Sequence, residues 1–410
     1  MTDAKWYGIS FPAIVDGVGA DQVMAEAADM GLTDHLLCAI IYSGYRLVMP
    51  RHPCQVYQLE EGVAFYPCAE SYAGTDMRPL ATRDFADDVF AAAAEAAARR
   101  GVRLHAWLCC FANRRLATTY PSNAAQNLYG SRDRMFLCFN NPNVTGFCVA
   151  MARELMGRYP LAGIMADKIP QAQMEATTLA GHVDPLLRLC ASICFCEHCL
   201  NQAKRDGLDL GEARRRALEI ADASRKVGQH VRSALADDLR GDTEVPLFLL
   251  EEPLFAQVLR WRMHCVSRFL SELREEIRSV RPEAQLGACL VPPVKVGHDF
   301  TVPRAFLSAE SYRIFAPSVD ALHAVIHWEP WAIEYDTRRA RDQVDASGAA
   351  CELCVHTPAY GRFAPEQVGS MVAAARRQGA DSIAFFCHDF LDERMIEAVR
   401  QAVHCTKSAS

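Results

Sequence analysis

The sequence contains no run of roughly 18 uncharged apolar residues, the length that a membrane-spanning helix requires. Its first residues, Met1-Thr-Asp-Ala-Lys-Trp6, lack the charged segment and apolar stretch of a secretory leader. These two absences set the expectation of a cytoplasmic protein with no membrane partner. Charge of one sign is also scarce. Lys and Arg number 43 against 50 Asp and Glu, a formal balance of −7, and no basic stripe stands out, which argues against nucleic acid as a partner. Low-complexity segments and short repeats are missing too, apart from an Ala-rich run at 91–98, which is ordinary helix-forming sequence.

What is present is a chain of 410 residues, 50% hydrophobic and 23% charged, enough to bury one large core or two modest ones. It also holds 17 cysteines. In a chain without a leader these read as buried apolar residues or metal ligands rather than a disulfide framework.

Strand-like and helix-like segments alternate eight times. That is the pattern of parallel strands joined by helical crossovers, and eight units predict a closed (β/α)8 TIM barrel of class α/β. The strands are expected at Lys5–Phe11, Asp34–Tyr42, Val102–Cys109, Leu161–Asp167, Gln285–Val291, Asp320–Trp328, Cys351–Thr357 and Asp381–Cys387. Gly101 reads as the stop of an Ala-rich helix beginning near Asp84, and Asn140-Asn-Pro142 as the cap and first position of a helix running to Tyr159. The segments after the second and third strands read as long loops. Residues 1–410 then form a single barrel domain, interrupted after strand four by a long helical, cysteine-rich excursion at 168–283.

In such barrels, reacting groups follow the C-terminal ends of strands. That rule selects Tyr42, Asn113, Arg114, Asp167, His298, His327, Glu329, His356, His388 and Asp389. Within the excursion, Cys194-Phe-Cys196-Glu-His-Cys199 offers three thiolates at a spacing that one tight turn brings to a point, as a tetrahedral zinc site demands. A fourth ligand must come from elsewhere. Cys138, Cys190, Cys109, Cys110, His182 and His198 are the candidates.

The succession of Cys138-Phe-Asn-Asn-Pro142, a helix, a short strand ending in Asp167, and then Cys-x-Cys-x-x-Cys resembles the family 42 glycoside hydrolases, of β-galactosidase type. It resembles more loosely other glycosidase-like barrels, in which Trp261-Arg262 also recurs. The resemblance implies a structural zinc held by Cys138, Cys194, Cys196 and Cys199, a carbohydrate as small-molecule partner, and a homo-oligomer. It also implies a catalytic pair of glutamates, which this sequence does not match. Asp167 is followed by Lys168 and Ile169 where the acid/base Glu is expected, and Val355-His356-Thr357-Pro358 carries no carboxylate at the nucleophile position.

Glycoside hydrolysis ordinarily needs two carboxyls facing across the bond. Asp167 with Glu329 or Asp389 is the pair the strand ends offer. Tyr42, Trp107 and Trp328 present flat apolar faces suited to sugar rings, and Arg46, Asn113, His327, His356 and His388 add polar contacts. Two other readings stand beside this one. His327, His356 and His388 end consecutive strands and would suit a catalytic metal or proton shuttles. Alternatively, the chain is a carbohydrate-binding pseudoenzyme that kept the scaffold and lost both glutamates.

Overall fold

The computed structural model describes residues 4–409 except for 83–84, 86–87, 170–184, 227–244, 292–307, 327–329 and 360–362. Eight parallel strands close into a barrel: β1 Trp6–Ser10, β2 Asp34–Cys38, β3 Arg103–Cys109, β4 Gly163–Asp167, β5 Gln285–Leu290, β6 Ala321–Val325, β7 Glu352–Pro358 and β8 Ser382–Phe386. Each pairs with its sequence neighbour, and β1 closes on β8 through Trp6↔Ile383 and Tyr7↔Ala384. Every predicted strand core is present. Among the described residues no helix is long and apolar enough to cross a membrane.

Local chemistry places the crossovers. Asp88 caps the helix Val89–Arg100 by accepting a hydrogen bond from Ala91 N, and Gly101 ends it at φ +69°, a conformation that costs glycine little. This helix starts five residues later than the apolar pattern alone implied. Asn141 accepts from Asn143 N, and Pro142 opens the helix Pro142–Arg158, where its missing N–H goes unused.

Two segments read as loops are ordered instead. After β2, Ile40–Ile41 leaves the barrel to pair with Gly62–Val63, and Tyr45–Val48 forms a hairpin with Val56–Leu59. After β3 comes a short helix, Arg114–Thr119, then a hairpin of Ala124–Gln126 with Arg132–Leu137. Strands this short bury few side chains, so alternation hardly shows in their sequence.

Between β4 and β5 the described residues form the helices Pro185–Ala191, Glu197–Arg205, Leu210–Lys226 and Pro253–Val280. The last, 28 residues long, packs against Pro142–Arg158 and buries Phe255, Leu259, Val266, Phe269 and Leu273 at helical spacing. Trp261 on this helix donates its indole N–H to Asp206 across 2.7 Å and so ties it to the cysteine-bearing helix.

Because adjacent strands pair in register and side chains alternate, the barrel interior can be read from the pairings. Its lower end is polar. Lys5 bonds Glu352 at 2.5 Å and Gln285 at 2.9 Å, while Asp34 accepts from Arg103 and His105, each at 2.7 Å. Above this lie Tyr7, His105, His323 and Cys354, all buried, and above those Trp107, Asp167, Cys289 and Phe386 at the strand C-termini.

Candidate active site and metal centre

The barrel mouth forms where β3 and β4 end together. Asp167 is the last residue of β4 and lies beside Cys109 in register. Its carboxylate accepts the indole N–H of Trp107 at 2.9 Å through one oxygen and the backbone N–H of Lys168 at 2.6 Å through the other. These two bonds fix both oxygens of a half-buried acid at the rim. Lys168 sits at φ +50°, a left-handed conformation that disfavours any residue with a Cβ, of order 1–3 kcal/mol for such strained positions. It is held there by Phe111 N, which donates to Lys168 O at 3.0 Å. Its ammonium lies 4.8 Å over the ring of Tyr42.

Aromatic rings complete the mouth. Trp107 packs against Phe11 at 5.1 Å and Phe386 at 6.3 Å between centroids, and Phe386 meets Phe390 at 6.3 Å. Beyond Phe390 a cavity of about 570 Å³ extends sideways, lined by Arg46, Val48, Phe363, Asp392 and Arg394. Sequence reasoning missed Lys168, Phe11, Phe386 and Phe390. The signal for Lys168 was its place directly after the β4 carboxylate, where it counted only as a departure from a family pattern.

Other predicted residues are placed differently. Asn113 is buried as the cap of Arg114–Thr119, accepting from Leu116 N at 2.8 Å and donating to Ile41 O at 3.3 Å, so its amide is committed to the backbone. Arg114 pairs with Glu61 at 3.1 Å. His388 turns away from the mouth to reach Glu26 on the helix Ala20–Asp29 at 2.9 Å. Burial pushes the His388 imidazole down, and its bond to Glu26 opposes that. Burial pushes Glu26 up, but hydrogen bonds from His388 and Arg51 outweigh it and leave the carboxyl at about 2. Asp389 is wholly buried, accepting from Phe11 N at 2.9 Å and from the Cys387 thiol at 2.8 Å. Burial raises its carboxyl to about 7. These bonds tie the end of β8 to the end of β1.

His356 is buried in the barrel interior with its Nε2 2.9 Å from Nδ1 of His323. Of the three histidines expected to converge, His356 and His388 have different partners, and His327 lies outside the described residues. Trp328, Glu329, His298 and His182 also lie outside them.

The four predicted cysteine ligands do converge. Cys138 follows the strand Arg132–Leu137, Cys194 lies in the turn after Pro185–Ala191, Cys196 caps Glu197–Arg205, and Cys199 is in its first turn. Their sulfurs all lie within 4.8 Å of one another, with Cys138 at 3.5 Å from Cys199 and 3.4 Å from Cys196. A tetrahedron with metal–sulfur bonds of about 2.3 Å has sulfur–sulfur edges of about 3.8 Å, so a small outward adjustment accommodates a cation. Thiol donors from Cys138, Cys194 and Cys199 pull Cys196 far down, while Cys138 and Cys199 are pushed up. Gln126 N donates to Cys194 Sγ at 3.3 Å and Asn140 Nδ2 to Cys199 Sγ at 3.4 Å, bonds suited to thiolates. The donor set fits a thiophilic metal. Cys109, Cys110, Cys190 and His198 are not members of this cluster.

No known protein-family profile matches the chain, and no curated protein matches it in sequence. Solved structures do match in fold. The chain is similar to the glycoside hydrolase domain of PgaB (BpsB) from Bordetella bronchiseptica, at 13% identity and a TM-score of 0.61, over 97% of this chain and 98% of that one. It is similar to the catalytic domain of a β-amylase from Paenibacillus polymyxa, at 10% identity and a TM-score of 0.56, over 98% and 99%. A β-galactosidase from the psychrophilic Marinomonas ef1 matches at 11% identity and a TM-score of 0.56, over 99% of this chain, which spans 60% of that longer protein. The fold is therefore the (β/α)8 barrel that these solved structures share.

Proposed function

We propose that the protein is a glycoside hydrolase-like enzyme acting on a carbohydrate by carboxylate acid/base catalysis, with Asp167 as the carboxylate at the reacting bond. The observation that carries this reading is the pairing of Asp167 with Trp107. It orients a carboxylate at the mouth of the barrel beside an aromatic surface of the kind sugar rings stack on. Lys168 and Tyr42 form the opposite flank and bind sugar hydroxyls, and Arg46 extends the surface sideways. The partner carboxyl is Glu329, chosen from its place in the sequence after β6. Asp389 is the weaker choice, because both its bonds hold the barrel wall together.

In the same reading the four cysteines hold zinc. With all four corners occupied by sulfur, the ion has no open position and serves structure only, stapling the excursion at 168–283 to the hairpin after β3. Free thiols and zinc at such a site suit a reducing, cytoplasmic setting. The test is a screen of aryl glycosides, followed by Asp167→Asn on any substrate that is turned over. Loss of hydrolysis by a variant that circular dichroism shows to be folded supports the assignment. Binding of oligosaccharide without turnover by the unmodified protein identifies a pseudoenzyme instead.

A further inference from the structure

Strands β6 and β7 set His323 beside Cys354 in register, and His356 follows two residues later on the same inward face. His323, Cys354 and His356 form a second ligand cluster, one ligand atom from each lying within 4.8 Å of the others, with His323 Nδ1 2.9 Å from His356 Nε2. All three residues are buried inside the barrel, away from the four cysteines that follow β3 and β4. We propose that His323, Cys354 and His356 form a second metal site, distinct from the four-cysteine centre and suited to zinc.

The donor set supports zinc over magnesium or calcium. Two imidazoles and a thiolate match a borderline-soft cation and offer no oxygen to a hard one. The geometry is close to what binding needs. With metal–nitrogen bonds of about 2.0–2.1 Å, a nitrogen–nitrogen separation of 2.9 Å subtends an angle of about 90° at the ion. Opening it by about 0.4 Å reaches the tetrahedral angle. Three protein ligands also leave one position for water, as in catalytic rather than structural sites.

The surrounding barrel fixes the rings for this purpose. Gly287 of β5 faces His323, and a Cβ at that position would come within 2.8 Å of His323 Nε2. The absent side chain lets the imidazole lie against the backbone and aim Nδ1 at His356. Tyr7 packs its ring against the other side of His323, 5.5 Å away and nearly perpendicular. A hydrogen-bonded histidine pair would satisfy itself without Cys354; the thiol on the same face is what marks the cluster as a ligand set.

Metal content of the whole chain decides the matter, and it is independent of any glycosidase activity. Protein expressed with added zinc and freed of loose metal by gel filtration should carry two zinc equivalents. Cys354→Ala and His323→Gln should each carry one, as should Cys196→Ser, which disrupts only the other centre. Cobalt-substituted Cys196→Ser should retain a sulfur-to-cobalt charge-transfer band that Cys354→Ala in the same background abolishes. A single equivalent in the unmodified protein that both Cys354→Ala and His323→Gln retain overturns the proposal. So do two equivalents retained by both Cys354→Ala and His323→Gln, with circular dichroism confirming that each variant is folded.

Discussion

Trp107 donates its indole N–H to Asp167 across 2.9 Å, from the strand neighbouring the one that ends in the carboxylate. The bond couples an aromatic face to an acid at the barrel rim, so that a ring stacked near the indole would lie close to the carboxylate. Neither residue alone defines a site; the hydrogen bond between them, across two neighbouring strands, does.

Asp167→Asn should lower turnover of a responsive glycoside by about 10²–10⁴-fold, the usual contribution of a positioned acid or base. Its melting temperature should fall modestly, since the amide keeps one oxygen for one of the two N–H groups and sets its NH2 against the other, a mismatch of about 1–3 kcal/mol. Undiminished kcat in a purified variant would remove Asp167 from the mechanism.

Cys196→Ser should cost one equivalent of bound zinc. The loss removes a link between the hairpin after β3 and the helix Glu197–Arg205, comparable in scale to a native covalent cross-link, about 2–5 kcal/mol. Limited proteolysis should then cut first within 185–226. A variant that keeps its zinc and its protease resistance would contradict the four-sulfur assignment.

Arg262 is buried on the helix Pro253–Val280, with its guanidinium donating to Ser192 at 3.4 Å, two residues before Cys194. Burial pushes it down to about 10, while the thiols of Cys199, Cys194 and Cys265 draw it back up. A zinc ion with four thiolates carries a net charge of −2, which such a cation offsets. Arg262→Met should therefore speed zinc transfer to a chelator by about 10–100-fold, the scale of changes next to metal ligands. Transfer at the unmodified rate would show that the arginine acts only in packing.

Asp336, in the helix Pro330–Asp345, is fully buried, and among the described residues neither of its carboxyl oxygens has a hydrogen-bond partner. Burial raises it to about 7. The folded state therefore holds a proton that the unfolded chain, with a carboxyl near 3.9, releases on going above that pH. The Asp336 contribution to stability should be most favourable below about pH 4, fall as pH rises from about 4 through 7, and carry the full penalty above that. Asp336→Asn should raise the urea midpoint at pH 8 and change it little at pH 4.5. Equal midpoints of variant and parent at pH 8 would refute this.

The architecture was legible because its signals are local. Each barrel strand is a short apolar run bounded by turn residues, and Gly101, Asn141 and Pro142 mark helix ends through backbone chemistry that needs no distant partner. The hairpins after β2 and β3 were not legible, since pairs such as Tyr45–Val48 with Val56–Leu59 have little buried face to betray them. His388 read as a mouth residue because it follows a strand end; one further turn of chain sends it to Glu26 instead.

The sequence by itself determined the eightfold alternation and the close spacing of Cys194, Cys196 and Cys199, because both depend on residues a few positions apart. Only the tertiary structure brought Cys138 to those three, His323 to His356 across 33 residues, and Lys168 over Tyr42. Those contacts depend on strand register and on which face of the sheet a side chain occupies. A shift of one residue would reverse that face, and no local pattern records the register between strands.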